Sequence, residues 1–152
     1  MTIDDPAPAT SPTNAEAAYL DANAILCYLL DEPRDMADAT RVCFEAAERG
    51  DIHLLITPTT LAEVVWVLGS VYKKTRPDIA TQMLAFVTAH GIYAEDEDEI
   101  TLALSLFHER NIDFADALLA ARCLLTGPPV IYSFDRHFDR VPGIQRRIPG
   151  QV

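Results

Sequence analysis

Apolar positions along this chain follow two spacings in alternation. Short apolar runs read as strands at Ala18–Leu20, His53–Thr57 (HLLIT), Ile92–Ala94 and Val130–Ser133 (VIYS). The last is opened by the turn Gly127-Pro128-Pro129. The stretch around Arg147 and Ile148 is a further edge-strand candidate. Between these runs the apolar residues recur every three to four positions. That spacing predicts helices over 22–30, about 35–49, 60–72, 78–90, 97–109 and 114–125. In the third of these the stripe is Leu61, Val64, Val65, Leu68 and Val71; in the last it is Phe114, Leu118, Ala121 and Leu125. Strands alternating with helices imply an α/β domain, a central parallel sheet with helices on both faces. No internal repeat is present.

The first stretch carries no such spacing. Residues 1–16 are rich in Pro, Ala, Ser and Thr, which predicts a flexible tail ahead of a single domain over 17–152. The beginning of the chain lacks the basic start and apolar centre of a signal peptide. No uncharged apolar run reaches the roughly 18 residues that span a membrane. The expectation is a cytoplasmic protein with no membrane partner. Cys27, Cys43 and Cys123 fit neither a zinc pattern nor a disulfide framework and read as buried free thiols.

The formal net charge of −11 first argues against a nucleic-acid partner. Its distribution changes that. Asp4, Asp5, Glu16 and the run Glu95–Glu99 hold eight acids, and setting them aside leaves 15 acids against 12 bases. The run itself reads as a solvated loop leading into a helix. Four of the remaining acids recur at one kind of place. Asp21 directly follows the first strand. Glu63 lies in the first turn of the helix after HLLIT. Asp116 lies in the first turn of the helix before VIYS, and Asp135 lies two residues beyond Ser133. Strand C-termini and helix N-termini share one edge of a parallel sheet, where open sheets bind ligands. Carboxylates gathered there repel one another unless a cation joins them. Oxygen ligands suit Mg²⁺ or Mn²⁺, and such ions suit phosphodiester hydrolysis. No Gly-rich phosphate loop points to nucleoside triphosphate chemistry.

Each acid also has a structural reading. Asp21 is placed to cap the helix at Ala22. Thr60-x-x-Glu63 is a capping-box pattern. Asp113 is placed as an N-cap with Asp116 at the favourable end of the dipole. Asp135 is placed as a turn residue. The shared edge, not any one acid, carries the argument for a site.

Four segments resemble the motifs of the PIN domain family. They are Leu20-Asp21-Ala22-Asn23, Thr57-Pro58-Thr59-Thr60-Leu61-Ala62-Glu63, Asp113-Phe114-Ala115-Asp116-Ala117-Leu118 and Tyr132-Ser133-Phe134-Asp135, in the family's order from about Ala18 to Ile148. The resemblance implies a PIN fold and a Mg²⁺-dependent endoribonuclease, with Mn²⁺ as the alternative ion. For a small domain of this kind it implies a toxin of the VapC type, paired with an antitoxin protein and forming a homodimer. It assigns Asp21, Glu63, Asp116 and Asp135 to the catalytic metal site, with Asn23, Asp113 and Ser133 in support.

RNA requires cations near the site. Arg34, Lys73, Lys74, Arg76, Arg136, Arg140, Arg146 and Arg147 are available, although Lys73–Arg76 also suits a helix end. Trp66 could stack on a base, but on a helix rich in Val and Leu it reads first as core or dimer interface. His137 stands two residues from Asp135, where a supporting role is the weaker reading. The rival to a nuclease is a PIN-like module that has lost activity and only binds proteins. The four acids argue against loss. A phosphatase-type acidic site is disfavoured because Asp21-Ala22-Asn23 lacks a second aspartate.

Overall fold

A computed structural model describes residues 15–150 of the chain. Of the tail expected over 1–16, residues 1–14 lie outside the described residues, and Glu16 is the first residue of a strand. The strands are β1 (Glu16–Tyr19), β2 (Ile52–Ile56), β3 (Ile92–Ala94), β4 (Val130–Tyr132) and β5 (Gln145–Arg147). The helices are α1 (Ala22–Leu30), α2 (Arg34–Glu48), α3 (Pro58–Ser70), α4 (Arg76–Val87), α5 (Glu97–Glu109) and α6 (Phe114–Leu125). A 3₁₀ turn covers Arg136–Arg140.

All strand pairs are parallel, and helices flank the sheet, which bears out the expected α/β architecture. The strands form two pieces, however. β1, β2 and β3 make one sheet in that order, and β4 with β5 makes another. Register runs from Glu16 opposite Ile52 to Tyr19 opposite Leu55, and from Leu54 opposite Ile92 to Ile56 opposite Ala94. β1 is exposed along its whole length, whereas β2 turns Leu54 and Ile56 into the core. Among the described residues β1 pairs with β2 alone, so its other edge is not joined to β4.

Local chemistry explains where the helices begin. Asp21 accepts a hydrogen bond from the Ala24 N–H at 2.9 Å and caps α1. Thr57 accepts from the Thr60 N–H at 3.2 Å and caps α3. Pro58 then holds the first helical position, where its missing N–H and fixed φ suit the helix. The expected capping box of Thr60 and Glu63 is therefore not formed. The helix starts two residues earlier than expected, and Glu63 falls in its second turn. Thr75 caps α4 through the Asp78 N–H at 3.3 Å.

The core joins α1, α3, α4, α5 and α6 around Ile25, Ile56, Leu61, Leu68, Ile79, Met83, Ile100 and Ile112, all fully buried. α5 and α6 form the most extensive helix pair. Their packing corrects the solvated reading of the acidic run. Glu99 is buried on α5 and accepts a hydrogen bond from the Arg122 guanidinium of α6, which also reaches Asp96 at 3.1 Å. An ion pair between facing helices thus draws one acid of the run inward. Of the thiols only Cys27 is buried; Cys43 is exposed on the outer face of α2, contrary to expectation, and Cys123 is half-buried. No helix among the described residues is long and apolar enough to cross a membrane.

Candidate metal centre

α6 and the segment after β4 bring two of the expected acids together. Asp116 is the third residue of α6 and is half-buried. Asp135 sits at the head of the 3₁₀ turn. Its position is fixed from three sides. Its N–H donates to the Ser133 hydroxyl at 2.9 Å, and its Oδ1 accepts from the His137 N–H at 2.8 Å. The His137 imidazole lies with Nδ1 3.2 Å from the same oxygen. The Ser133 carbonyl in turn accepts from Arg146 at 3.1 Å, while Arg146 grips Asp139 through two bonds of 2.9 and 3.0 Å. This bidentate pair anchors β5 against the turn that carries Asp135.

One ligand atom each from Asp116, Asp135 and His137 lie within 4.8 Å of one another. The electrostatics match that geometry. Desolvation raises the Asp116 pKa above the usual carboxylate value, and repulsion from Asp135 and then Asp113 raises it further; His137 opposes them. A cation between these groups would remove the repulsion. Two carboxylates and an imidazole suit a divalent ion that accepts both oxygen and nitrogen, such as Mn²⁺, and tolerate Mg²⁺.

The other expected residues are not among these close ligand atoms. Asp21 and Glu63 are both exposed, Asp21 at the N-cap of α1 and Glu63 on α3. Asn23 accepts a weak hydrogen bond from the Cys27 thiol at 3.7 Å, within its own helix. Asp113 is at the N-cap of α6 but makes no capping bond; its Oδ1 accepts from Arg76 at 3.5 Å. Ser133 accepts the Asp135 N–H through its hydroxyl. His137, only a weak supporting candidate in the sequence, joins the close group in the structure. Its signal was the Asp135-x-His137 spacing, which a 3₁₀ turn folds onto one side.

Beside this group lies a cleft of about 520 Å³ between α3, the start of α4 and the start of α6. Arg76 fixes one wall of it. Its guanidinium donates to the carbonyls of Phe107 at 3.1 Å and Ile112 at 2.6 Å, and lies 4.5 Å from the centre of the Phe107 ring. Trp66 is not core: it is 64% exposed and lines the cleft.

The family model for the PIN domain matches residues 18–144, most of the chain and all four acid-bearing segments. The chain belongs to the PIN domain family. PIN domains are a nuclease superfamily that acts on nucleic acid and typically uses a divalent metal, in keeping with the acidic group seen here. No curated protein and no solved structure gives a significant match to this PIN domain.

Proposed function

We propose that this PIN domain is a metal-dependent endoribonuclease of the VapC type, the toxin of a toxin–antitoxin pair. The observation that carries the nuclease reading is the meeting of Asp116, Asp135 and His137 at the head of α6 and the end of β4. In this reading Asp116 and Asp135 hold the cation, and His137 orients Asp135 or joins it as a ligand. A bound divalent ion supplies an activated water and offsets charge on the phosphate. Asp113, exposed and close enough to repel Asp116, supports the cation site or adds a ligand to it in this reading. Asp21 and Glu63 are the further acids that the family motifs supply, and they complete the set in the proposal. Mg²⁺ is the proposed ion, with Mn²⁺ favoured wherever the imidazole binds directly.

The purified chain should cut single-stranded RNA with Mg²⁺ or Mn²⁺ and not with EDTA. Asp116→Asn and Asp135→Asn should each lower the rate by more than about 100-fold, beyond what loss of an outer partner produces. Full activity in both variants would sink the assignment. Asp21→Asn and Glu63→Gln test the remaining acids separately. The toxin role predicts growth arrest on expression that Asp116→Asn relieves. Light scattering of the purified chain tests the proposed homodimer, and a short adjacent reading frame whose product relieves the growth arrest on co-expression tests the antitoxin.

A further inference from the structure

The cleft beside the acidic group has a composition the metal site does not explain. Its floor is apolar, built from Ile79, Phe107 and Phe114, while one wall is the exposed indole of Trp66. Lys74 and Asp113 also line it, Asp113 three residues before Asp116. The Arg76 guanidinium is committed to the Phe107 and Ile112 carbonyls, which leaves Lys74 as the mobile cation of the lining. An apolar floor, a flat aromatic wall and one cation suit a planar heterocycle joined to a phosphate. The volume of about 520 Å³ falls within the roughly 300–1,000 Å³ of small-ligand sites. It is the size of a single nucleotide rather than of a helix.

We propose that this cleft is a subsite for one unstacked base of single-stranded RNA, stacked on Trp66, with the adjoining phosphate paired to Lys74. The proposal rests on the nuclease reading. The strand leaving the cleft passes Asp113 and reaches Asp116 one helical turn on. Recognition of RNA by splayed bases on aromatic side chains is the general mode for single strands. Charge favours this occupant, because Lys74 of the lining pairs with no carboxylate among the described residues and can meet a phosphate beside the base.

Trp66 is the only tryptophan of the chain, so its fluorescence reports the cleft directly. Short oligouridine and oligoadenine RNAs are titrated into the Asp116→Asn chain with Mg²⁺, with anisotropy of labelled RNA as an independent measure of binding. The expected result is saturable quenching that follows the anisotropy. In the otherwise unsubstituted chain, Trp66→Ala should raise KM by about 5- to 100-fold, the range of one base–aromatic stack, and leave kcat within about threefold. Trp66→Phe should recover part of the loss. Because Trp66 is exposed, the substitution leaves the fold intact, which circular dichroism checks.

RNA that binds by anisotropy without altering the fluorescence overturns the subsite, as does an unchanged KM in Trp66→Ala. A fluorescence change that follows protein concentration and ignores RNA assigns the cleft to a second copy and also overturns it. The nuclease reading fails differently. Quenching by RNA that the unsubstituted chain never cuts upholds the subsite and sinks the nuclease.

Discussion

At Asp116 the demands of folding and of metal binding pull in opposite directions. Desolvation and the charges of Asp135 and Asp113 raise its pKa, so the native state holds a proton that the unfolded chain releases. Stability of the metal-free protein therefore falls as pH rises from the ordinary carboxylate value through the raised one. Asp116→Asn removes that charge and should raise the Tm of the metal-free protein near neutrality. Mn²⁺ should raise the Tm of the unsubstituted chain, and the same substitution should abolish that rise. Thermal melts with and without Mn²⁺ across a pH series check both signs, and a Tm lowered by Asp116→Asn without metal would contradict the account. His137→Ala tests the imidazole in the same way, with a larger loss expected for Mn²⁺ than for Mg²⁺ because nitrogen ligands favour the transition ion. Asp116 and Asp135 were legible in the sequence because each sits beside a well-marked boundary, the start of α6 and the end of β4. His137 was not, since its value depends on a 3₁₀ turn that no periodicity announces.

Between elements, the connections matter more than the elements themselves. Arg76 at the start of α4 ties the loop from α5 to α6 through two carbonyls, and so sets where α6 and Asp116 begin. Arg76→Ala should lower stability by about 1.5–3 kcal/mol, the worth of hydrogen bonds to a charged group, measured by urea unfolding. Gly91 precedes β3 at φ +83°, and a Cβ there would collide with the Ala47 carbonyl of α2. Gly91→Ala should cost more than about 2 kcal/mol by combining left-handed strain with overpacking. A loss under half of that would mean α2 yields. The helices and the first four strands were readable because period and punctuation agree: Thr57-Pro58, Thr75-Arg76-Pro77 and Gly127-Pro128-Pro129 mark boundaries by known local physics. Three features were not readable. The burial of Glu99 depends on Arg122, 23 residues away, facing it from α6. Thr57 outcompeted Thr60 as the cap because Pro58 suits the first helical position. The division of the strands into β1–β2–β3 and β4–β5 is a matter of pairing between segments far apart in the chain, which local period does not report.

For the whole molecule, the acidic balance constrains how RNA can be held. A net charge of −11 repels a polyanion at long range, and several cations already have partners. Arg122 pairs with Glu99 and Asp96, Arg146 with Asp139, Arg41 with Asp31 and Asp38, and Arg76 with backbone carbonyls. In the proposed reading, affinity then comes from the metal group and from stacking on Trp66 more than from phosphate neutralisation. Counterion release gives a single strand a slope of about −0.7 in log K against log salt for each phosphate neutralised. One or two contacts, Lys74 first among them, predict a slope between about −0.7 and −1.4. RNA binding by the Asp116→Asn chain, followed by anisotropy over a salt series at fixed Mg²⁺, measures it. Lys74→Ala should flatten the slope by about one contact. A slope steeper than about −3 would place the strand along further exposed bases, such as Arg136, Arg140 and Arg147 of the segment that follows Asp135. The number of phosphates released thus distinguishes a strand anchored in the cleft by one base from one laid across the C-terminal face.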